Sequence, residues 1–257
     1  MSETPDLGPV ARTAREVAAE WGLELGEPYA LSRYSYVAPV GEAAVLKVAW
    51  AGDEESLHEA EALDVWAGDG AVRLLRHDPA RRALLMERAV PGDDASTLAE
   101  DDATAVAVDV GRRLWRAAGT PFRSIHDHVP RWIDNAEREG DEGSELIPLA
   151  RELYRELGRR DDTLIHGDFH HHNLLRHGER WVAIDSKAML GEPEYELWSF
   201  LHNPLPYTMT LELTERRLAA FEAAGLDQWR MRAWSIVRAA FLGADADEVA
   251  VLRALLR

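Results

Sequence analysis

Apolar and turn-forming positions divide the first part of the chain into short elements. In residues 9–21 the apolar positions recur at helical spacing, and Gly22 follows as a stop signal, which predicts a helix. Residues 34–40 and 43–50 are rich in aromatic and β-branched side chains, as strands are. The Gly41-Glu42 pair between them predicts a tight hairpin turn.

A helix and a second hairpin are predicted next. Ser56 can cap a helix over residues 57–66, where Leu57, Ala60, Leu63 and Trp66 share one face. Residues 72–75 and 83–86 resemble two strands that turn at Asp78-Pro79. The first ninety residues are therefore predicted to form a sheet with one inserted helix.

The pattern becomes helical after residue 94. Residues 90–94, Val-Pro-Gly-Asp-Asp, have the composition of a linker. Residues 97–118 and 145–157 give the clearest helical periodicity, and helical patterns resume from about Glu194 to the end. Two or three short strands are predicted within residues 164–184.

The order of predicted strands and helices along the chain predicts an α+β protein with two lobes. The N-terminal lobe, residues 1–89, is a small antiparallel sheet with one helix, and residues 90–94 are the linker. The C-terminal lobe, residues 95–257, is larger and mainly α-helical and carries a short β insertion. A cleft between two such lobes is a common position for a small-molecule site.

Charge and composition restrict the partners of the chain. Its 257 residues include 46 acidic and 29 basic ones, for a net charge of -17, and 46% of residues are apolar. Such a surface repels nucleic acid and attracts cationic small molecules, although most of this charge also suits a merely well-solvated surface. The absence of cysteine excludes disulfides, zinc-thiolate sites and thiol catalysis.

The same composition predicts a cytoplasmic protein. The first six residues lack the basic and apolar regions of a signal peptide, and no apolar run reaches membrane-spanning length. We therefore expect no membrane partner, and a monomer or a weak dimer in solution.

Three polar residues around two predicted strand ends carry the strongest chemical signal. Asp168 and Asn173 flank a tight loop, and Asp185 follows the apolar run of residues 181–184. Phosphoryl transfer from a metal nucleotide needs such a set, because one carboxylate accepts the proton of the attacking hydroxyl while other oxygens hold the metal. Asp168 is the predicted base. Asn173 and Asp185 are the predicted magnesium ligands, since hard cations prefer oxygen donors.

Lys47 is the candidate phosphate ligand. It lies inside the apolar strand Ala44-Val45-Leu46-Lys47-Val48-Ala49, where an ammonium is costly unless it meets a partner. An edge-strand lysine in water is the alternative. Glu59, on the next predicted helix, is the proposed partner, with Glu55 and Glu61 as nearby competitors.

The loop histidines are interpreted as structural. The ring of His166 is expected to hold the loop by hydrogen bonds without touching substrate. His170, His171 and His172 are consecutive, so their side chains point in different directions and cannot all reach one ion. Gly191, which opens the turn Gly191-Glu192-Pro193, is expected to pin the loop after Asp185.

Together these residues resemble the aminoglycoside phosphotransferases, which share the protein-kinase-like fold. The resemblance runs from Lys47 to about Pro204 and is closest to the streptomycin 6-kinase and hydroxyurea phosphotransferase branch. Its motifs are His166-Gly167-Asp168 with Asn173, Ile184-Asp185 before Gly191-Glu192-Pro193, the upstream pair Lys47 and Glu59, residues 59–63 and 70–75, and Asp168-Phe169-His170-His171.

The resemblance implies ATP and Mg²⁺ as cofactors and gives the residues their roles. Lys47 would bind the nucleotide phosphates, with Glu59 paired to it. The carbonyl of Glu87 and the amide of Ala89 would meet adenine. Ser35, in the loop of residues 32–35, would cover the phosphates.

Three departures from the family pattern stand out. The chain has no Gly-x-Gly-x-x-Gly loop, so phosphate cover falls to the serine-containing turn. Glu196 stands where the family usually has Asp, which changes how the catalytic loop is braced. Ser186 stands where this branch often has Pro. None of these departures removes a catalytic group.

The leading hypothesis is an ATP- and Mg-dependent kinase for a small-molecule hydroxyl. A streptomycin-like aminoglycoside is the first candidate acceptor; hydroxyurea, an amino sugar or another metabolite remains open, because the fold does not fix the acceptor. Acidic residues Glu192, Glu194 and Glu196 would face a cationic group of the acceptor or form a solvated helix start.

Two other classes remain as alternatives. A metal-dependent hydrolase would draw its ligands from His126, Asp127, His128, Asp168, His170, His172 and Asp185. It leaves Lys47 and Glu59 without a role. A nucleotide-binding protein without turnover is the third hypothesis, and the presence of Asp168 argues against it.

Overall fold

The computed structural model describes residues 5–30, 33–140, 142–206 and 208–256. The chain divides into two compact units. The first comprises Met1–Asp93 and Leu175–Ala188, and the second comprises Asp94–Leu174 and Met189–Arg257. The sequence-based division counted the segment Leu175–Ala188 with the second lobe, whereas its contacts place it in the first unit.

The helices and strands follow in chain order. They are α1 (Gly8–Trp21), β1 (Ser35–Val40), β2 (Ala44–Ala49), α2 (Glu59–Trp66), β3 (Leu74–Asp78), β4 (Ala83–Glu87), β5 (Pro91–Asp94), α3 (Glu100–Leu114), β6 (Arg116–Ala117), α4 (Val129–Glu139), α5 (Ile147–Leu157), β7 (Thr163–Ile165), β8 (Leu174–His177), β9 (Arg180–Ala183), β10 (Met189–Gly191), α6 (Leu197–Leu201), α7 (Leu211–Ala223), α8 (Gln228–Leu242) and α9 (Ala246–Ala254).

The first unit is built on an antiparallel sheet with strand order β1-β2-β4-β3. Side chains alternate between its two faces. Leu46 and Val48 lie on one face and pack with Val17 and the other apolar residues of α1. Lys47 lies on the opposite face, because it stands between Leu46 and Val48 on the same strand. The register pairs Lys47 with Val37 on β1 and with Leu84 on β4.

A small sheet ties the segment Leu175–Ala188 into the first unit. Its strand order is β5-β8-β9. The backbone of Ala183 donates to Gly70 O at 2.8 Å and accepts from Val72 N at 3.1 Å. These bonds explain why the segment belongs here although it is distant in sequence. Four of the residues predicted to form a linker, Pro91–Asp94, are a strand of this sheet.

Helices α2 and α3 differ in extent from the sequence prediction. Ser56 does not cap α2; it lies within a 3₁₀ turn, Glu55–His58, and α2 starts at Glu59 without a side-chain cap. The helix predicted over residues 97–118 is shorter, Glu100–Leu114. It stops there because Arg116–Ala117 joins a sheet as β6.

The second unit is organised around α8. Apolar residues such as Met231, Trp234 and Val237 are buried on several faces of this helix, which marks a central position. Its polar residues Arg230 and Arg238 are also buried, so each must find hydrogen-bond acceptors inside the unit.

A three-stranded sheet of order β10-β7-β6 completes the second unit. Strand β7 ends at Ile165, directly before His166. Gly191 on β10 pairs with Thr163 of β7. A Cβ added at Gly191 would lie 2.8 Å from Cδ1 of Ile125 and 3.1 Å from Cδ1 of Ile165, so a larger residue here requires these buried side chains to shift.

No helix among the described residues is long and apolar enough to cross a membrane. The longest, α3 and α8, have 15 residues each.

We predict that Gly191→Ala destabilises the protein by about 1–3 kcal/mol, because the added methyl group overpacks a buried contact with Ile125. Urea unfolding measures the loss. Gly119→Ala is the matched control, since nothing lies within 4 Å of a Cβ there. Adding Ile125→Val to Gly191→Ala removes the nearest clashing atom and is expected to recover part of the stability. An equal loss in both glycine variants would contradict the packing argument.

Candidate active site

A buried lysine with two carboxylate partners lies in the first unit. The side chain of Lys47 is about 5% exposed. Its Nζ donates to Oε2 of Glu59 at 2.6 Å and to Oδ1 of Asp185 at 2.5 Å. Strand β2 supplies the lysine, α2 supplies Glu59, and the turn after β9 supplies Asp185. Of the three acids considered for Lys47, Glu59 is the one that meets it.

Burial and charge act in opposite directions on this cluster. Burial disfavours the ammonium of Lys47, but the charges of Asp185 and Glu59 outweigh that effect and raise its pKa above the ordinary value. Burial also raises the pKa of Glu59, and the nearby charge of Asp185 adds to this while Lys47 opposes it. Lys47 therefore stays charged at neutral pH.

Asp185 has an unusual backbone conformation. Its φ is 58°, in the left-handed region that few residues other than glycine, asparagine and aspartate adopt. Its side chain is 43% exposed, in contrast to the buried Lys47 and Glu59. The carboxylate is thus held by the lysine on one side while still open to a ligand from solvent.

A second lysine lies close to the same carboxylate. Nζ of Lys187 is 4.0 Å from Oδ1 of Asp185 and 3.9 Å from Oδ2 of Asp53. Sequence reasoning missed both Lys187 and Asp53. One signal was available, because Lys47 and Lys187 are the only two lysines in the chain.

Ser35 is a buried strand residue. It begins β1 opposite Ala49, two positions from the pair Val37–Lys47. Directly paired residues of an antiparallel sheet share a face, so Ser35 lies on the same face as Lys47. Ser32, the start of the proposed phosphate loop, lies outside the described residues.

The end of β4 carries the residues proposed to meet adenine. The carboxylate of Glu87 accepts from Arg73 N at 3.3 Å and lies 3.0 Å from Nε2 of His177. Despite partial burial, these bonds and the charges of His177 and Arg180 lower the pKa of Glu87. Within the part of the chain that the structure describes, the amide of Ala89 has no acceptor.

The loop of residues 166–173 lies in the second unit and places an aspartate beside an amide. Nδ2 of Asn173 donates to the carbonyl of Asp168 at 2.9 Å and approaches its Oδ2 at 3.4 Å. The fully buried ring of His166 accepts from Asp168 N through Nδ1 at 3.3 Å. The loop therefore brings His166, Asp168 and Asn173 together.

The carboxylate of Asp168 is kept ionised. Burial would raise its pKa, but the adjacent His170 ring, followed by the electrostatic effects of His166 and Arg238, lowers it below the ordinary value. Nε2 of His170 lies 3.6 Å from Oδ2 of Asp168. A carboxylate in this state accepts a proton rather than donating one.

The three consecutive histidines have separate surroundings. His170 faces Asp168, His171 stacks on Phe200 with ring centres 4.2 Å apart, and Nδ1 of His172 lies 3.1 Å from Oδ2 of Asp94. Among the described residues, no group of three or more His, Cys, Asp or Glu is arranged to hold a metal ion.

Glu196 braces the loop from within the second unit. Its Oε1 accepts from Gly167 N at 2.6 Å and its Oε2 accepts from Nε1 of Trp115 at 2.9 Å. Burial raises the pKa of Glu196, and these two donors oppose that shift. Arg238 of α8 donates to Gly167 O at 3.2 Å, so the same glycine is held on both sides.

The acids at residues 192–196 are buried and accept hydrogen bonds from other groups of the protein. Glu192 is buried and accepts from Arg230 through both oxygens, and from Nε1 of Trp234 at 2.7 Å. Glu194 accepts from Asp227 N at 3.0 Å. The hypothesis of a solvated helix start was wrong, because all three acids are buried. The partners of Glu192 and Glu194 come from α8 and the residue before it, distant in sequence.

Each unit thus offers a distinct chemical capability. The first unit presents a permanently charged ammonium fixed by carboxylates, which suits binding of an anionic group such as a phosphate. The second unit presents an ionised carboxylate fixed beside an amide, which suits acceptance of a proton from a hydroxyl.

The fold is that of the protein-kinase-like phosphotransferases. Over 96% of this chain and 84% of the other, it resembles a choline/ethanolamine kinase family protein from Mesorhizobium loti, with a TM-score of 0.65 and 15% identity. It also resembles a thermostable mutant of the aminoglycoside phosphotransferase APH(4)-Ia in a ternary complex with ADP and hygromycin B. There the TM-score is 0.60 at 16% identity, over 94% of this chain and 96% of the other.

The sequence identifies the family. Residues 25–250 match the model of the aminoglycoside/hydroxyurea antibiotic resistance kinases, and the chain belongs to this family. It is 34% identical to a hydroxyurea phosphotransferase from Kitasatospora aureofaciens, over 87% of this chain and 69% of the other. It is 32% identical to a streptomycin 3''-kinase from Klebsiella pneumoniae, over 79% and 80%. The predicted fold and family are confirmed, and the protein is a small-molecule phosphotransferase.

We predict that His171 makes stability depend on pH. Burial, followed by the charges of Arg217, His170 and His172, lowers the pKa of His171 to about 3. The folded state then binds fewer protons than the unfolded state between about pH 6.5 and pH 3, so stability falls as pH falls, by up to about 1.4 kcal/mol per pH unit. Urea unfolding between pH 7.5 and pH 4.5 measures this slope.

His171→Phe keeps the ring stacked on Phe200 and removes the titrating group. The dependence of stability on pH should therefore decrease by the contribution of one proton, about 1.4 kcal/mol per pH unit. The contribution of His126 should remain, because burial lowers its pKa as well. A slope that is equally steep in wild type and His171→Phe would contradict the assignment.

Proposed function

We propose that the protein transfers the γ-phosphoryl group of ATP, with Mg²⁺, to a hydroxyl group of a small molecule. The buried contact of Lys47 with Glu59 and Asp185 carries this proposal. A buried ammonium on the face of a β-sheet has a desolvation cost even when two acids pair with it, so its presence there indicates a function. A phosphate chain is the ligand that its charge suits.

The nucleotide is proposed to meet residues of the first unit. Lys47 binds phosphate oxygens, and Glu59 orients it. Ser35 lies on the same face of the sheet as Lys47, which supports a role near the phosphates. The carbonyl of Glu87 and the amide of Ala89, which has no acceptor among the described residues, are proposed to bind the adenine edge. In domain terms, residues 1–89 carry these groups, residues 90–94 follow as the connection, and residues 95–257 carry the base and the acceptor site.

Asp168 is the proposed base. It accepts the proton of the acceptor hydroxyl as the oxygen attacks phosphorus, which requires an ionised carboxylate, and its lowered pKa supports that state. His166 is proposed to fix the position of Asp168 through the backbone, because its ring accepts from Asp168 N. Gly191 permits the close packing around Ile165, the residue before His166.

Asp185 and Asn173 are the proposed magnesium ligands. Both offer oxygen donors, which a hard cation prefers, and the carboxylate of Asp185 is 43% exposed despite its contact with Lys47. When bound, the ion neutralises negative charge on the phosphates. The residues present therefore fit the group.

A streptomycin-like aminoglycoside is the first candidate acceptor. The relatives named above include a streptomycin kinase and a hydroxyurea phosphotransferase. The net charge of -17 favours approach of a cationic aminoglycoside over neutral hydroxyurea. Hydroxyurea, an amino sugar and other small metabolites are the further candidates.

We predict acceptor-dependent release of ADP in the presence of Mg²⁺. The panel is streptomycin, other aminoglycosides, hydroxyurea, amino sugars and a blank without acceptor. Asp168→Asn should reduce kcat on the active acceptor by roughly 10²–10⁴-fold, because it removes the proton acceptor. Wild-type turnover in Asp168→Asn would exclude this residue as the base. Failure of the wild-type protein to bind any nucleotide would exclude the kinase reaction.

We also predict that Glu59→Gln lowers kcat/KM for ATP roughly 10–100-fold, because Lys47 loses a charged hydrogen-bond acceptor. Glu61→Gln is the matched control, since Glu61 lies on the same helix and is partly exposed. It should leave kcat/KM within about twofold of wild type. Equal effects of the two variants would show that Glu59 has no special role.

A further inference from the structure

The chain uses lysine at two positions, and both are near one carboxylate. It has 29 basic residues apart from histidine, and 27 of them are arginines. Both lysines, Lys47 and Lys187, lie within ion-pair distance of Oδ1 of Asp185. Composition alone does not account for this pairing, because arginine is the cation used almost everywhere else.

Arginine serves the structural ion pairs of this protein. Glu192 is held by Arg230, and Glu100 by Arg217, in contacts that fix buried or partly buried elements. The planar guanidinium suits such fixed pairs because it can bind a carboxylate through two parallel hydrogen bonds. The ammonium of lysine is a compact charge with three rotatable donors, so it exchanges partners more readily.

Lys187 forms ion pairs with two acids but makes no hydrogen bond to either of them among the described residues. Its side chain is 20% exposed, and its Nζ is 3.9–4.0 Å from Asp53 and Asp185. These distances allow ion pairing but exceed hydrogen-bond length. Within the described residues, Nζ of Lys187 makes no hydrogen bond to either acid, in contrast to Nζ of Lys47, which bonds both of its acids.

The charges of the cluster leave Lys187 available for an anion. Asp53, Glu59 and Asp185 face Lys47 and Lys187, and Glu59 already hydrogen-bonds Lys47. A phosphate chain that displaces either ammonium from Asp185 supplies new oxygens for it. Lys187, which has no hydrogen bond there to break, moves at lower cost than Lys47.

We propose that Lys187 is a second phosphate-binding lysine, which contacts phosphate oxygens of the bound nucleotide beside Lys47, and that Asp53 is its counter-ion when no nucleotide is bound. The proposal rests on the proposed function, since it names a further residue for the same nucleotide site.

The test compares nucleotides that carry one, two and three phosphate groups. Binding of AMP, ADP and a non-hydrolysable ATP analogue to the full chain is measured by calorimetry, with and without Mg²⁺. In Lys187→Met the affinity for AMP should stay within about twofold of wild type. The affinity for the ATP analogue should fall by about tenfold to a hundredfold, as for loss of a charged hydrogen bond.

Asp53→Asn separates phosphate binding from a structural role. If Lys187 only tethered the segment around Asp53, Asp53→Asn would lower the affinity for the ATP analogue as much as Lys187→Met does. That result would overturn the proposal. We expect Asp53→Asn to bind the analogue as tightly as wild type or more tightly, because it releases the competing carboxylate. Thermal melting verifies that each variant is folded, and Lys187→Gln carries the same expectation if Lys187→Met does not fold.

The remaining outcomes distinguish the two proposals. A wild-type protein that binds the ATP analogue and a Lys187→Met variant that binds it equally well overturn the role of Lys187 alone. A wild-type protein that binds no nucleotide overturns the proposed function, and the role of Lys187 with it.

Discussion

The burial of the Lys47 ammonium is the constraint on which the first unit depends. A charge on the inner face of a sheet is tolerated only if acidic groups meet it there. Glu59 meets it from α2 and Asp185 from the turn after β9. A strand, a helix and a turn that are separated by up to 138 residues are thereby tied to one atom.

The second unit solves the complementary problem of buried acids. Glu192 and Glu196 are buried, so each needs donors from elsewhere in the unit. Trp234 and Arg230 of α8 bind Glu192, while Trp115 and the Gly167 amide bind Glu196. The loop that carries Asp168 is consequently held by a glutamate, Glu196, whose two oxygens both have donors.

The extent to which the sequence predicted this arrangement depended on the range of the contacts. Lys47 with Glu59 was predictable because a strand and the next helix lie 12 residues apart and a buried lysine requires an acid. The ion pair between Glu192 and Arg230 was not predictable, because the two residues lie 38 positions apart and nothing near Glu192 in the sequence indicates its partner. The prediction that Ser56 caps α2 failed for a local reason, since a serine that suits a helix cap also suits a 3₁₀ turn. The assigned roles of the site residues remain predictions.

The left-handed backbone of Asp185 restricts which amino acids evolution can place there. Aspartate and asparagine enter this conformation at low cost, whereas glutamate, with a longer side chain and no local hydrogen bond to compensate, does so poorly. An exchange of aspartate for glutamate, conservative at most surface positions, is therefore disfavoured here by the main chain. The φ angle at position 185 limits the amino acids tolerated there before any ligand is considered. Fewer amino acids are therefore expected at this position among members of the family than the need for a negative charge alone would allow.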